Sequence, residues 1–173
     1  MTIHTDHPFA TPEPERDPVR RVRGRMPAPV TIWAAGSGRE RAGLTVSSVL
    51  IADGDPARVI GLIDPDSDLG ERLAAGAHTL TVSVLAGGQD QLAEVFAGLA
   101  PAPGGPFTTG SWTDTAWGPV LVGSAGWLGV RVDEARRKIG WSLLVEAVIE
   151  HAEVAAADAL AHVRGRYRRA SID

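Results

Sequence analysis

The apolar segments of this chain are short, rich in β-branched residues, and separated by turn signals that follow one another closely. PVTIWAAG (residues 29–36) stops at Gly36, and SGRERAG (37–43) is a polar, hairpin-like connection. GLTVSSVLIAD (43–53) runs into the turn DGDP (53–56), and ARVIGLID (57–64) follows at once. HTLTVSVL (78–85) is a further segment of the same kind. Segments of this length and periodicity read as strands, and such short connections join antiparallel neighbours. Parallel strands would each need a long crossover between them.

Two stretches read as short helices. DPDSDLGERLAAGAH (64–78) has Asp66 or Ser67 to cap its start and Gly76 to end it. GGQDQLAEVFAGLA (87–100) places Leu92, Val95, Phe96 and Leu99 on one helical face. GPVLVGSAGWLGVRVDEAR (118–136) and KIGWSLLVEAVIEHAEV (138–154) both read as long strands, and residues 155–161 as a short turn or helix. About six strands with so few helices favour a mainly β, antiparallel sheet closed into a barrel, because closure removes unpaired edges.

A chain of 173 residues is most simply one domain. Residues 1–25 are polar, Pro-rich and then Arg-rich, and are expected to form a flexible tail ahead of a domain over 26–170. No run is long and apolar enough for a membrane span or a signal peptide, so a cytoplasmic protein is expected. The formal net charge of −4 argues against a nucleic-acid partner. With no cysteine there is no thiolate nucleophile and no zinc–sulfur site.

Familiar catalytic patterns are missing. GSGRERAG (36–43) is neither a Walker A loop nor a GxGxxG turn opening a helix. VGSAG (122–126) lacks the first glycine of a nucleophile elbow. The five histidines have no metal-ligand spacing, so no metal is expected. Five tryptophans against one tyrosine is unusual. Most suit core or interface packing, and one or two could wall a flat aromatic ligand.

The order of these pieces carries more than any one of them. AGLTVSSVL (42–50), DPARVIGLID (55–64), QDQLAEVFAG (89–98), GSWTDTAWGPVL (110–121), IGWSLLVEAVI (139–149) and GRYR (165–168) follow one another from Pro29 to Tyr167. In that order the chain resembles the flavin reductase-like family, the FMN-binding split β-barrels. The resemblance implies a six-stranded antiparallel split barrel of Greek-key type with two or three short helices. It implies a homodimer binding FMN, or FAD, near the subunit interface. Its activity would be NAD(P)H:flavin oxidoreduction, with NADH or NADPH as co-substrate and an oxygenase component as a possible partner. A non-catalytic flavin carrier of the same fold is the alternative, and related barrels use a deazaflavin.

Carried over by motif, the implied cofactor-binding residues are Thr45, Val46, Ser47 and Ser48, then Asp64 and Ser67 at the first helix start. Ser83, Gln91 and Trp141 complete the set. No catalytic side chain is assigned, since the cofactor carries the redox chemistry. Two places depart from the family pattern. Pro65 or Asp66 stands where a basic residue is usual, which leaves Arg39, Arg41 or the arginines of 20–25 to supply positive charge. Trp141 stands where a histidine is usual. Within 42–50 the alternation itself breaks: Leu44 and Val46 point one way, Thr45 and Ser47 the other, and Ser48–Ile51 lose the phase. Such a break predicts a bulge or a barrel corner.

Overall fold

The computed structural model describes residues 17–133 and 137–171. A helix, α1 (Pro18–Arg25), comes first. Asp17 caps it by accepting from the Arg20 backbone N–H, Pro18 opens it, and Arg23 and Arg25 lie in its last turn. Each of these favours the local helix. The flexible tail expected over residues 1–25 therefore gives way to a helix at Pro18, and residues 1–16 lie outside the described residues.

The strands that follow are β1 (Ala28–Pro29), β2 (Thr31–Ala35), β3 (Ala42–Val46), β4 (Val49–Ala52) and β5 (Arg58–Ile63). Helix α2 (Asp68–Ala74), strand β6 (Thr79–Val84) and helix α3 (Asp90–Phe96) come next. Then come β7 (Trp112–Asp114), β8 (Pro119–Leu121), β9 (Gly126–Val132), β10 (Arg137–Ile139) and β11 (Ser142–Val154). A hairpin of β12 (Ala159–Val163) and β13 (Arg166–Ala170) ends the described chain.

The main sheet runs β3-β2-β6-β9-β11-β5-β4, and β10 pairs with β11. Every one of these pairings is antiparallel. Its two end strands, β3 and β4, are consecutive pieces of one segment, separated only by Ser47 and Ser48. The chain leaves one end of the sheet and re-enters at the other, so the sheet curls round on itself. With β3 and β4 taken as one bent strand, the ring has the six antiparallel strands that the sequence predicts.

The barrel interior follows from the period-two alternation. Trp33 and Ala35 from β2, Val59 and Ile63 from β5, Leu80 and Val82 from β6, and Val145 and Ala147 from β11 share one buried cluster. Leu69 and Leu73 of α2 belong to it too, so this helix packs its apolar side into the barrel core. Trp33 is fully buried, and its ring lies where Gly61 has no side chain: a Cβ there would sit 2.6 Å from Trp33 Cζ2. Its indole N–H donates to Thr31 Oγ1 at 3.1 Å, and Thr31 Oγ1 donates to the Val46 carbonyl at 2.6 Å. A second cluster, outside the ring, joins Val30, Ile32, Leu85, Phe96, Leu121 and Leu160.

Several predicted strands divide. The segment 43–53 breaks at Ser47–Ser48. The segment 118–136 breaks at a turn where Ser124 N–H donates to Leu121 O and Ala125 N–H to Val84 O. The segment 138–154 breaks at Gly140–Trp141, where Gly140 takes φ +57°, so Trp141 lies in a turn and not in a strand. Residues 155–161, read as a turn or helix, instead lead into β12, whose Leu160 is buried against the outer cluster. Among the described residues no helix is long and apolar enough to cross a membrane.

Candidate functional site

The phase break predicted in AGLTVSSVL is real. Leu44, Val46 and Val49 all pack on the barrel core, so one extra residue stands between Val46 and Val49. Thr45 faces outward and its hydroxyl donates to the Ala93 carbonyl of α3 at 2.8 Å. Ser47 and Ser48 make the corner. The Ser48 carbonyl accepts from Leu62 N–H at 3.2 Å. Among the described residues the Ser47 hydroxyl has no hydrogen-bond partner.

Strand register brings other segments to the same rim. Val49 pairs with Gly61, which sets Ser47 level with Ile63, and Ile63 pairs with Leu143. One step beyond that row lie Asp64, where β5 has ended, and Ser142, which follows Trp141. The Ser47–Ser48 corner, the 64–67 turn and Trp141 thus share one end of the barrel. Trp141 is 82% exposed. Helix α1 reaches the same end: Arg23 Nη2 donates to Ser48 Oγ at 3.3 Å, and the Arg20 guanidinium lies 5.9 Å from the Trp141 ring centre.

The remaining expected residues divide by what already occupies their polar atoms. Asp64 Oδ1 accepts from Asp66 N–H at 3.0 Å. Ser67 is the α2 cap: its hydroxyl donates to the Asp64 carbonyl at 2.6 Å and accepts from Gly70 N–H at 3.1 Å. Val46 offers only backbone, its side chain being core. Ser83 is fully buried, and its hydroxyl accepts from Leu121 N–H at 3.2 Å. It lies in the row Thr45–Ile32–Ser83–Trp127 on the outer face, away from the corner. Gln91 is exposed on α3, which also packs on that outer face. Ser83 and Gln91 are therefore not brought together with Ser47 in this chain fold.

Charge on the rim is uneven. Asp64, Asp66 and Asp68 are all exposed where α2 begins, while α1 carries Arg20, Arg21, Arg23 and Arg25. Of the arginines proposed elsewhere, Arg41 is taken by Asp114 at 2.9 Å. Arg20 and Arg23 of α1 reach this rim, and sequence reasoning named them only as one option among several. The cue was present in RDPVRRVRGR, but nothing local says which strand end that segment will meet.

A second aromatic group sits on the outer face. Trp117 stacks on His151 with ring centres 5.3 Å apart, and Trp127 lies 4.4 Å from the same imidazole. A bulge between Ile149 and His151 turns Glu150 outward beside them. The Trp117 indole N–H donates to Glu150 Oε2 at 2.8 Å and Arg131 to Oε1 at 2.6 Å. The indole bond first, then Arg131, holds the Glu150 carboxyl below its ordinary range. Trp33 is core and Trp112 packs with Phe96 and Phe107, so Trp141, with Arg20 over its ring, is the one of the five on the rim. Among the described residues no cluster could hold a metal ion.

A small antiparallel barrel carries a hydroxyl-bearing corner, an exposed indole and a basic helix at one end. The model of the Flavin reductase like domain matches residues 23–171, and the chain belongs to that family. An NADH-dependent FAD reductase of Streptomyces globisporus is 28% identical over 162 residues, covering 92% of this chain and 88% of that protein. The solved structure of the Streptomyces globisporus C-1027 NADH:FAD oxidoreductase SgcE6 in complex with NAD and FAD fragments matches with TM-score 0.81. It is 26% identical, over 94% of this chain and 97% of that one. The styrene monooxygenase flavin reductase (SMOB) of Pseudomonas putida S12 shares the fold, with TM-score 0.78 at 20% identity over 91% and 99% of the two chains.

Proposed function

We propose that this protein is a flavin reductase that takes a hydride from NADH, or NADPH, and delivers it to FMN or FAD. The observation that carries the reading is the barrel-closing corner. There the uncommitted Ser47 hydroxyl, Ser48, the Trp141 indole and the α1 arginines converge on one open rim. That set suits a flavin: an aromatic wall for the ring, hydroxyl and backbone groups for its polar edge, and cations for its phosphate. The relative named as an NADH-dependent FAD reductase, similar over most of both chains, supports NADH as donor.

A bound flavin supplies the redox chemistry, accepting the hydride and one proton. The chain's own part is to orient and to exclude water. Ser47 and Ser48 fix the ring's edge, and Trp141 covers a face. Thr45 and Ser67 act one step back: Ser67 starts α2 at the rim, and Thr45 holds α3 against the outer face. The reduced product would pass to an oxygenase component. A cytoplasmic setting belongs to the same reading, because that is where reduced nicotinamide nucleotides are regenerated.

A homodimer completes the proposal. Strand β4 ends the sheet order, and its Leu50 and Ile51 are 70% and 58% exposed although neighbouring residues point to opposite faces. A protruding apolar edge invites a partner. Val19 and Val22 of α1 and Met26, which caps its end, form a second exposed apolar stripe.

Titrating the purified protein with FMN and FAD, and then measuring NADH and NADPH oxidation with and without flavin, tests the reading. Flavin-dependent oxidation is expected. Tight flavin binding without oxidation of either nucleotide would favour the carrier alternative.

A further inference from the structure

We propose that Arg23 is the phosphate-binding residue of this rim, gripping the phosphate of FMN or the diphosphate of FAD beside the Ser47–Ser48 corner. This rests on the flavin reading above. Arg23 is exposed, and the one side-chain hydrogen bond it makes among the described residues is with a neutral hydroxyl, Ser48 Oγ, at 3.3 Å. A guanidinium bonded to a neutral acceptor gains when an anion replaces or joins that acceptor, because charge-assisted bonds are roughly twice as strong. Its planar fork also matches two phosphate oxygens at once.

The carboxylates on the rim favour the α1 side for an anion. Asp64, Asp66 and Asp68 line the α2 side of the rim. A phosphate drawn there meets like charge, so it settles toward α1. Three arginines farther along the barrel from this corner are committed elsewhere. Arg72 is held by the Glu40 carbonyl and, at 3.2 Å, by its carboxylate. Arg41 is held by Asp114 and Arg58 by Asp133 and Glu146. Within α1, Asp17 pairs with Arg20 at 3.3 Å, and Arg20 lies over Trp141. Arg23 is the one α1 arginine recorded against the Ser47–Ser48 corner itself.

Fluorescence titrations of riboflavin, FMN and FAD against the wild-type protein, Arg23→Gln and Arg23→Lys test this, with circular dichroism to confirm folding. For wild type, FMN should bind more tightly than riboflavin, and added salt should weaken FMN alone. Arg23→Gln should weaken FMN and FAD by about tenfold or more and leave riboflavin within about twofold, the loss expected for one charged hydrogen-bond pair. Arg23→Lys should recover part of it. If Arg23→Gln keeps the wild-type ratio of FMN to riboflavin affinity, the assignment is wrong. If ADP-ribose binding weakens while FMN binding does not, the phosphate held belongs to the nicotinamide nucleotide, which also overturns it. Wild-type protein that binds none of the three flavins sinks the flavin reading itself, and this assignment with it.

Discussion

Ser47 and Ser48 stand where one strand changes the face its side chains occupy, and this is why their hydroxyls are spared from the core. Leu44, Val46 and Val49 are drawn inward on both sides of them. Replacing both serines by valine removes hydroxyls without removing a core contact. FMN affinity should fall roughly tenfold or more, at ~1 kcal/mol per lost bond, while the melting temperature barely moves. Unchanged affinity would return both serines to a solvated corner. Trp33 is the opposite case. Trp33→Ala should cost about 3–5 kcal/mol in a denaturant melt. Gly61→Ala should destabilise through the same contact, since its Cβ falls 2.6 Å from the indole, and Trp33→Phe in that background should recover part of the loss. Which hydroxyls are available was not legible in the sequence. Thr45 and Ser83 look like ligands in the motif, but their partners, Ala93 and Leu121, lie 48 and 38 positions away. Sequence pattern speaks of a residue's type and phase, and only tertiary packing says whether its polar atom is already used.

Strands and helices show the same division between local and distant causes. The long β11 was legible from its β-branched content, Val145, Val148, Ile149 and Val154. Its bulge was not, because an extra residue shows only against the register of β9. That bulge presents Glu150 to Trp117 and Arg131, and it makes a pH prediction. The folded carboxyl is held below its ordinary range. Its stabilising effect is therefore complete at pH values above that range and is lost as pH falls through the lowered value. Tryptophan fluorescence should change over that acid window, and Glu150→Gln should abolish the change. A transition unaltered by Glu150→Gln would rule this pair out as its source. Helix α2 depends on a single hydroxyl for its start. Ser67→Ala should lower stability by about 1 kcal/mol, while Ser67→Asp, which also caps, should retain it. The hairpin of β12 and β13 escaped the sequence reading because its Ala- and Arg-rich strands are held mainly by the neighbours they pair with, β1 among them.

At the scale of the whole molecule the barrel was the most legible feature. Short connections force antiparallel neighbours, and closing the ring at Ser47–Ser48 needs only the phase break visible in nine residues of sequence, 42–50. Charge placement was the least legible, since α1 meets the rim only after the ring has closed. The exposed β4 edge predicts a dimer that Leu50→Glu with Ile51→Glu should convert to a monomer by light scattering. A dimer that survives both changes would place the interface elsewhere. The central claim is that this rim holds a flavin and brings it a hydride. Anaerobic mixing of the protein with FAD and NADH measures that directly. Bleaching of the flavin absorbance is expected much faster than in free solution, at a rate that saturates with NADH. A folded, FAD-binding protein that leaves the flavin oxidised at the uncatalysed rate with both NADH and NADPH would contradict it.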